Sequence, residues 1–235
     1  TDWYRVETSS IGTLALKTDG TLWAWGGSRG GTLGDGTAWE GTPQYVMTVD
    51  IPDTISPTGT ININSGAAYT NSKVATLNLA CSDANGCSQM QFSNDGTTYL
   101  AAESCVTSKT WTLSSGDGTK TVYVKFKDSA GNWSNEYSDT ITLDTTPPTT
   151  TASPAGGTYN STQSVAFTCN DGPGSGCDKI YYTTNSNPPY LFQPYTGPIN
   201  ISANTTVWFS AIDLAGNSEA WKTEVYTLTT MSGNI

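Results

Sequence analysis

The chain has 235 residues, enough for two or three small domains, and it carries 10 Lys and Arg against 20 Asp and Glu, a formal net charge of −10. That balance argues against nucleic acid as a partner, since such binding relies on clustered cations that release counterions, and it disfavours an anionic membrane surface for the same reason. Histidine is absent, which removes the commonest general base and the imidazole metal ligand together.

Charged residues make up 13 % of the chain, Gly contributes 24 residues, and the aromatics include eight Trp and twelve Tyr. This profile suits short strands joined by tight turns, and no window sustains a 3.6-residue apolar period, so an all-β fold is expected. No apolar run reaches the roughly 18–20 residues of a membrane span. The sequence starts at Thr1 without a basic-then-apolar leader, as expected of an exported chain after signal removal or of a fragment.

Residues 1–48 centre on a hairpin: Thr13–Lys17, a Thr18-Asp19-Gly20 turn, then Thr21–Gly26. Asp and Gly tolerate the left-handed conformations of such turns. Leu14 and Leu16 alternate with Ala15, and Leu22 and Ala24 with Trp23 and Trp25, so the two faces differ. The string ALKTDGTLWAWG, followed by GTLGDGT, resembles one repeat of the regulator-of-chromosome-condensation type β-propeller. The usual histidine before the first strand is missing, and a single repeat does not close a propeller, so the family's activities do not carry over. A lone blade has open strand edges, so it is expected to pack on the neighbouring domain, to join another subunit, or to be the remnant of a longer propeller.

A Pro- and Thr-bearing connector over residues 47–59 introduces a second domain, 49–146, and Asp144-Thr145-Thr146-Pro147-Pro148 introduces a third, 147–235. The organising feature is a repeat. TVYVKFKDSAGNWS at Thr121–Ser134 returns as TVWFSAIDLAGNSE at Thr206–Glu219. Upstream of each copy lies a cysteine pair in an acidic turn, CSDANGC at Cys81–Cys87 and CNDGPGSGC at Cys169–Cys177.

Strands are expected at Thr60–Asn64, Val74–Ala80, Ser88–Ser93, Ser108–Leu113, Thr121–Lys127 and Tyr137–Leu143 in the first copy. The second copy should hold Ser164–Cys169, Lys179–Thr184, Ile199–Ile201, Thr205–Ile212 and Thr223–Leu228. Val122, Val124 and Phe126 fall on one strand face, as do Val207, Phe209 and Ala211. Such spacing reads as two tandem immunoglobulin-like β-sandwiches, without a recognisable inter-sheet Trp. Residues 53–146 resemble bacterial Ig-like modules of exported proteins. The segments TCNDGPGSGCDKIYYTTN, PYTGPINISANTTVWFSAID and a closing AGN resemble the C-terminal β-sandwich domain of chitobiases and β-hexosaminidases. That resemblance implies an accessory domain and carries over no active-site residue.

The equivalence of the two loops pairs Cys81 with Cys87 and Cys169 with Cys177, which implies an oxidising compartment, secreted or at the cell surface. Cys105 has no counterpart in the second copy. An unpaired, buried thiol is the expectation, with Cys81, Cys87 or another chain as alternative partners. Asp83, Asp95, Asp117, Asp128, Asp171 and Asp213 sit in turn motifs and are expected to shape those turns; calcium at the Asp128 or Asp213 turn is the alternative. No cofactor, metal site or catalytic residue is assigned.

Tyr181, Tyr182, Tyr190, Phe192 and Tyr195 form a candidate sugar-stacking surface, and Trp133 and Trp221 are read as covers for sheet edges. Sequons at Asn132, Asn160, Asn200 and Asn204 are candidate glycosylation sites. The function expected is that of a non-catalytic, exported bacterial surface protein, structural or adhesive, such as a filament subunit. Its partners are other subunits or cell-surface glycans. The alternative is an accessory carbohydrate-binding region of a larger secreted glycoside hydrolase.

Overall fold

The computed structural model describes residues 2–9, 12–26, 43–184 and 191–229. The GTLGDGT portion of the propeller-like motif and Tyr190 lie outside these residues. The chain divides into two compact units, Thr1–Ile55 and Ser56–Ile235.

In the first unit the alternating residues form a four-stranded antiparallel meander in the order β1 (Trp3–Ser9), β2 (Gly12–Lys17), β3 (Thr21–Trp25), β4 (Gln44–Thr48). The Thr-Asp-Gly turn forms as its residue types dictate. Asp19 Oδ1 accepts the Thr21 N–H at 2.9 Å and Gly20 takes a φ of 81°. One face gathers aromatics: Trp3 meets Trp25 at 5.7 Å, Trp23 meets Tyr45 at 6.0 Å, and the Lys17 ammonium lies over the Trp3 and Trp23 rings. Leu14, on the other face, is exposed.

The second unit is all-β and holds two immunoglobulin-like sandwiches built to one plan. The first consists of β5 (Thr58–Ile63), β6 (Tyr69–Thr70), β7 (Val74–Ser82), β8 (Cys87–Ser93), β9 (Glu103–Ser104), β10 (Ser108–Thr112), β11 (Gly118–Asp128) and β12 (Tyr137–Leu143). The second consists of β13 (Thr149–Ser153), β14 (Gly157–Tyr159), β15 (Gln163–Asn170), β16 (Cys177–Thr183), β17 (Gln193–Pro194), β18 (Ile199–Ile201), β19 (Thr205–Asp213) and β20 (Lys222–Leu228).

In the first, β10-β7-β5 faces β6-β12-β11-β8-β9; in the second, β13-β15-β18 faces β14-β20-β19-β16-β17. Strand for strand the two lists correspond. In both, the opening strand changes sheets: after pairing antiparallel in the three-stranded sheet, the chain crosses and a two- or three-residue segment pairs parallel with the last strand, β6 with β12 and β14 with β20.

The alternation of β11 and β19 sets the cores. Val122, Val124 and Phe126 are buried against Leu77, Met90, Phe92 and Ile141, while Val207 and Phe209 are buried against Val165, Phe167 and Tyr226. Each such side chain contributes about 1.5–3 kcal/mol relative to exposure. The first sandwich holds an inter-sheet Trp that the sequence does not make recognisable. Trp111 on β10 is buried, lies 5.3 Å from Phe92, and donates its indole N–H to Asn94 Oδ1 at 2.8 Å. A single Trp within SKTWT carries no sequence mark of that role.

Candidate functional site

Both cysteine pairs form: Cys81 with Cys87 and Cys169 with Cys177, each closing the loop between equivalent strands. Cys105 is free and half-buried against the first core, and burial pushes its thiol pKa up. Cys81 and Cys87 pair with each other, so neither is its partner.

The Asp-x-Ala-Gly-Asn turns are two copies of one hydrogen-bonded knot. Asp128 accepts the N–H groups of Gly131 and Asn132 at Oδ1 and the Asn132 side-chain amide at Oδ2, at 2.6–2.8 Å. Asp213 accepts the Asn217 N–H at Oδ1, 2.8 Å, and the Asn217 amide at Oδ2, 2.7 Å. Gly131 and Gly216 take φ of 109° and 93°, a conformation that a side chain would strain. Both aspartates thus serve the turns as expected, and the Asn132 amide, committed to Asp128, is a poor glycan acceptor. Asn160, Asn200 and Asn204 are exposed.

The junction of the two sandwiches goes beyond turn chemistry. Asp144, which the sequence places in a linker, is buried at the end of β12 and fastens the second sandwich to the first. Its Oδ2 accepts the Ser175 N–H at 2.6 Å and its carbonyl accepts the Asn217 amide at 2.8 Å. Burial pushes its carboxyl pKa up, but the bonds from Ser175 and Thr146 outweigh this and hold it below the ordinary value. Thr145 and Thr146 donate their hydroxyls to the two oxygens of Asp117, both at 2.9 Å.

Asp171, two residues past Cys169, joins from the disulfide loop. One carboxylate oxygen from each of Asp144, Asp171 and Asp213 lies within 4.8 Å of the others, and the three groups are buried. Asp171 as a residue is half-buried, but its Oδ1 is closed to solvent and receives no hydrogen bond, while Oδ2 accepts the Gly176 N–H at 2.6 Å. Burial pushes the Asp171 carboxyl pKa up, and the neighbouring Asp144 and Asp213 charges add to that. Reading each turn separately misses this grouping. The available signal is that Asp83 and Asp171 hold the same place in their cysteine loops, as Asp128 and Asp213 do in their turns.

Among the described residues, Tyr181, Tyr182, Phe192 and Tyr195 do not form one platform. Tyr182 and Tyr195 pack against the second core, and the Tyr195 hydroxyl accepts the Phe167 N–H at 3.2 Å. Alternation on β16 puts Tyr181 on the opposite face from Tyr182. Phe192 is exposed and stacks on exposed Trp221 at 4.0 Å. Trp221 therefore belongs with Phe192 rather than covering an edge alone, whereas Trp133 lies 5.7 Å from the Lys127 ammonium. A separate open groove in the first sandwich is lined by Asn94, Leu100, Lys109 and Trp111.

Residues 154–223 match the family model of the chitobiase/beta-hexosaminidase C-terminal domain. The match leaves the first unit and the first sandwich outside it, and no comparison supports the propeller resemblance of residues 1–48. No curated protein matches the chain. Among solved structures it is similar to fibronectin(III)-like modules of Clostridium thermocellum CbhA, at 12 % identity over 75 % of this chain and 98 % of that one, TM-score 0.42. A tetra-tandem repeat from the extending region of a large adhesion protein is 16 % identical over 92 % of this chain and 63 % of that one, TM-score 0.30. The ectodomain of mouse nectin-like molecule 4 is 12 % identical over 98 % and 83 %, TM-score 0.36.

Proposed function

We propose that the chain is a non-catalytic structural or adhesive element of an exported bacterial surface protein, such as a subunit of an extracellular filament. The observation that carries this reading is the tandem itself. Two sandwiches of one plan, each with its own disulfide, meet at a hydrogen-bonded junction through Asp144 instead of a free linker. Disulfides persist in oxidising compartments, which supports an extracellular or cell-surface location. Among the described residues no helix is long and apolar enough to cross a membrane. Among the described residues β1 and β4 are the outer strands of the first unit, and they offer main-chain donors and acceptors to another subunit. Analytical ultracentrifugation of the full chain over a wide concentration range, with electron microscopy of the products, is expected to reveal assembly. A chain that stays monomeric and binds neither cells nor glycans would sink the reading.

A second reading, an accessory carbohydrate-binding region of a larger secreted glycoside hydrolase, draws support from the family match over residues 154–223. The Phe192–Trp221 pair is the surface it would use, since stacked, exposed rings suit sugar faces. Pull-down on insoluble polysaccharide, with Phe192→Ala and Trp221→Ala as variants, separates the two. Binding lost in both variants favours the carbohydrate role; no binding by the parent chain removes it.

A further inference from the structure

We propose that Asp144, Asp171 and Asp213 bind a calcium ion that clamps the two sandwiches together. A group of acidic side chains is common without a ligand, and an orphaned acceptor distinguishes this one. Asp171 Oδ1 is a buried acceptor that neither solvent nor any donor reaches, and such an atom bears the full cost of desolvation unless something positive faces it. Among the described residues no lysine or arginine makes an ion pair with any of the three carboxylates; the lysines of the second sandwich that do make ion pairs, Lys179 and Lys222, bind Asp178 and Glu219. Three buried carboxylates without a cation repel one another at short range.

Space beside the group is also kept open. A Cβ on Gly174 would fall 2.5 Å from Asp171 Oδ2 and 2.8 Å from Asp144 Oδ2, so any larger residue there would intrude on both.

The donor set selects the ion. All three side-chain donors are carboxylate oxygens, with neither imidazole nor thiolate among them, which suits a hard cation and not zinc or copper. No pair of these oxygens is farther apart than 4.8 Å, the limit for two ligands of one calcium ion at about 2.4 Å, and water can complete the shell of about six to eight ligands. Magnesium, with shorter bonds and a strict octahedron, is the poorer match. The ion would hold residues from three places at once: the end of β12, the Cys169–Cys177 loop and the turn after β19. It would thus stiffen the junction whether the chain serves as a surface element or as a carbohydrate-binding accessory.

The test is titration of the chelator-stripped full chain with calcium chloride at neutral pH by isothermal calorimetry, with magnesium chloride as comparator. Thermal unfolding is followed in the same solutions. Saturable calcium binding, stronger than that of magnesium, and a rise in Tm are expected. Asp171→Asn, whose amide oxygen still accepts the Gly176 N–H, should weaken that binding at least about tenfold and abolish the Tm shift. Gly174→Ala should do the same by filling the space beside two of the ligands, which guards against a folding defect in one variant. A parent chain that shows neither heat nor a Tm shift at millimolar calcium overturns the proposal. So does calcium binding that survives unchanged in both variants when circular dichroism shows them folded.

Discussion

Glu219 shows how one side chain can tie three strands. Its carboxylate accepts the Thr150 N–H with both oxygens at 3.1 Å, accepts the Ala211 N–H at 3.0 Å, and pairs with the Lys222 ammonium at 2.9 Å, with little of it exposed. Burial pushes its pKa up, but the Lys222 and Thr150 contacts outweigh that and hold it below the ordinary glutamate value. A carboxyl depressed in the folded state stabilises fully above the unfolded-state pKa and loses that contribution as pH falls through the folded value. Glu219→Gln is therefore expected to cost about 1–3 kcal/mol at neutral pH and to flatten the acid limb of stability, read as Tm against pH. Gly59 is a different case, governed by space. An added Cβ would overlap the Phe126 ring and lie 2.6 Å from the Ala80 carbonyl oxygen. The ring has Val124 and Met90 beside it in the core and the carbonyl belongs to a paired strand, so Gly59→Ala should cost about 1–3 kcal/mol in denaturant unfolding.

At the scale of elements, the long strands were legible and most of the short ones were not. Tyr137–Leu143 and Ile199–Ile201 are found as expected, and β11 extends its expected range by four residues and β19 by one, the alternation continuing past the expected ends. The parallel segments β6 and β14 and the edge segments β9 and β17 span two or three residues, too few for a period, and exist because a neighbouring strand offers free backbone groups. The cysteine pairing was legible from the equivalence of the two loops. The acidic triad was not, because its members come from three segments that only the folded junction brings together. The disulfide loops can be tested as elements. A Cys169→Ser, Cys177→Ser double variant should lose about 2–3 kcal/mol, the scale expected of short closed loops, measured by urea unfolding against the parent chain.

At the scale of the molecule, two sandwiches with separate apolar clusters share one compact unit. The bonds that cross between them, from Ser175 to Asp144 and from Asn217 to the Asp144 carbonyl, are few beside the ladders within each. Asp144→Ala removes the first of these bonds and keeps the backbone carbonyl that Asn217 uses, and it should leave each sandwich folded while loosening the pair. Asp144→Ala is expected to broaden the distribution of particle dimensions in small-angle scattering with little change in circular dichroism; a collapse of the β signal would instead make Asp144 a determinant of folding.

Cys105 gives the molecule a built-in reporter. The other four cysteines are consumed in disulfides, so one thiol remains, held against the core of the first sandwich with its pKa raised by burial. Thiolate is the reactive form, so alkylation should be slow while that sandwich is closed and fast whenever it opens. A mass-tag time course on the untouched protein would then read the opening of one sandwich in the presence of its near-twin, without any engineered label. Pulling the two apart kinetically in this way would show whether they breathe together or one at a time.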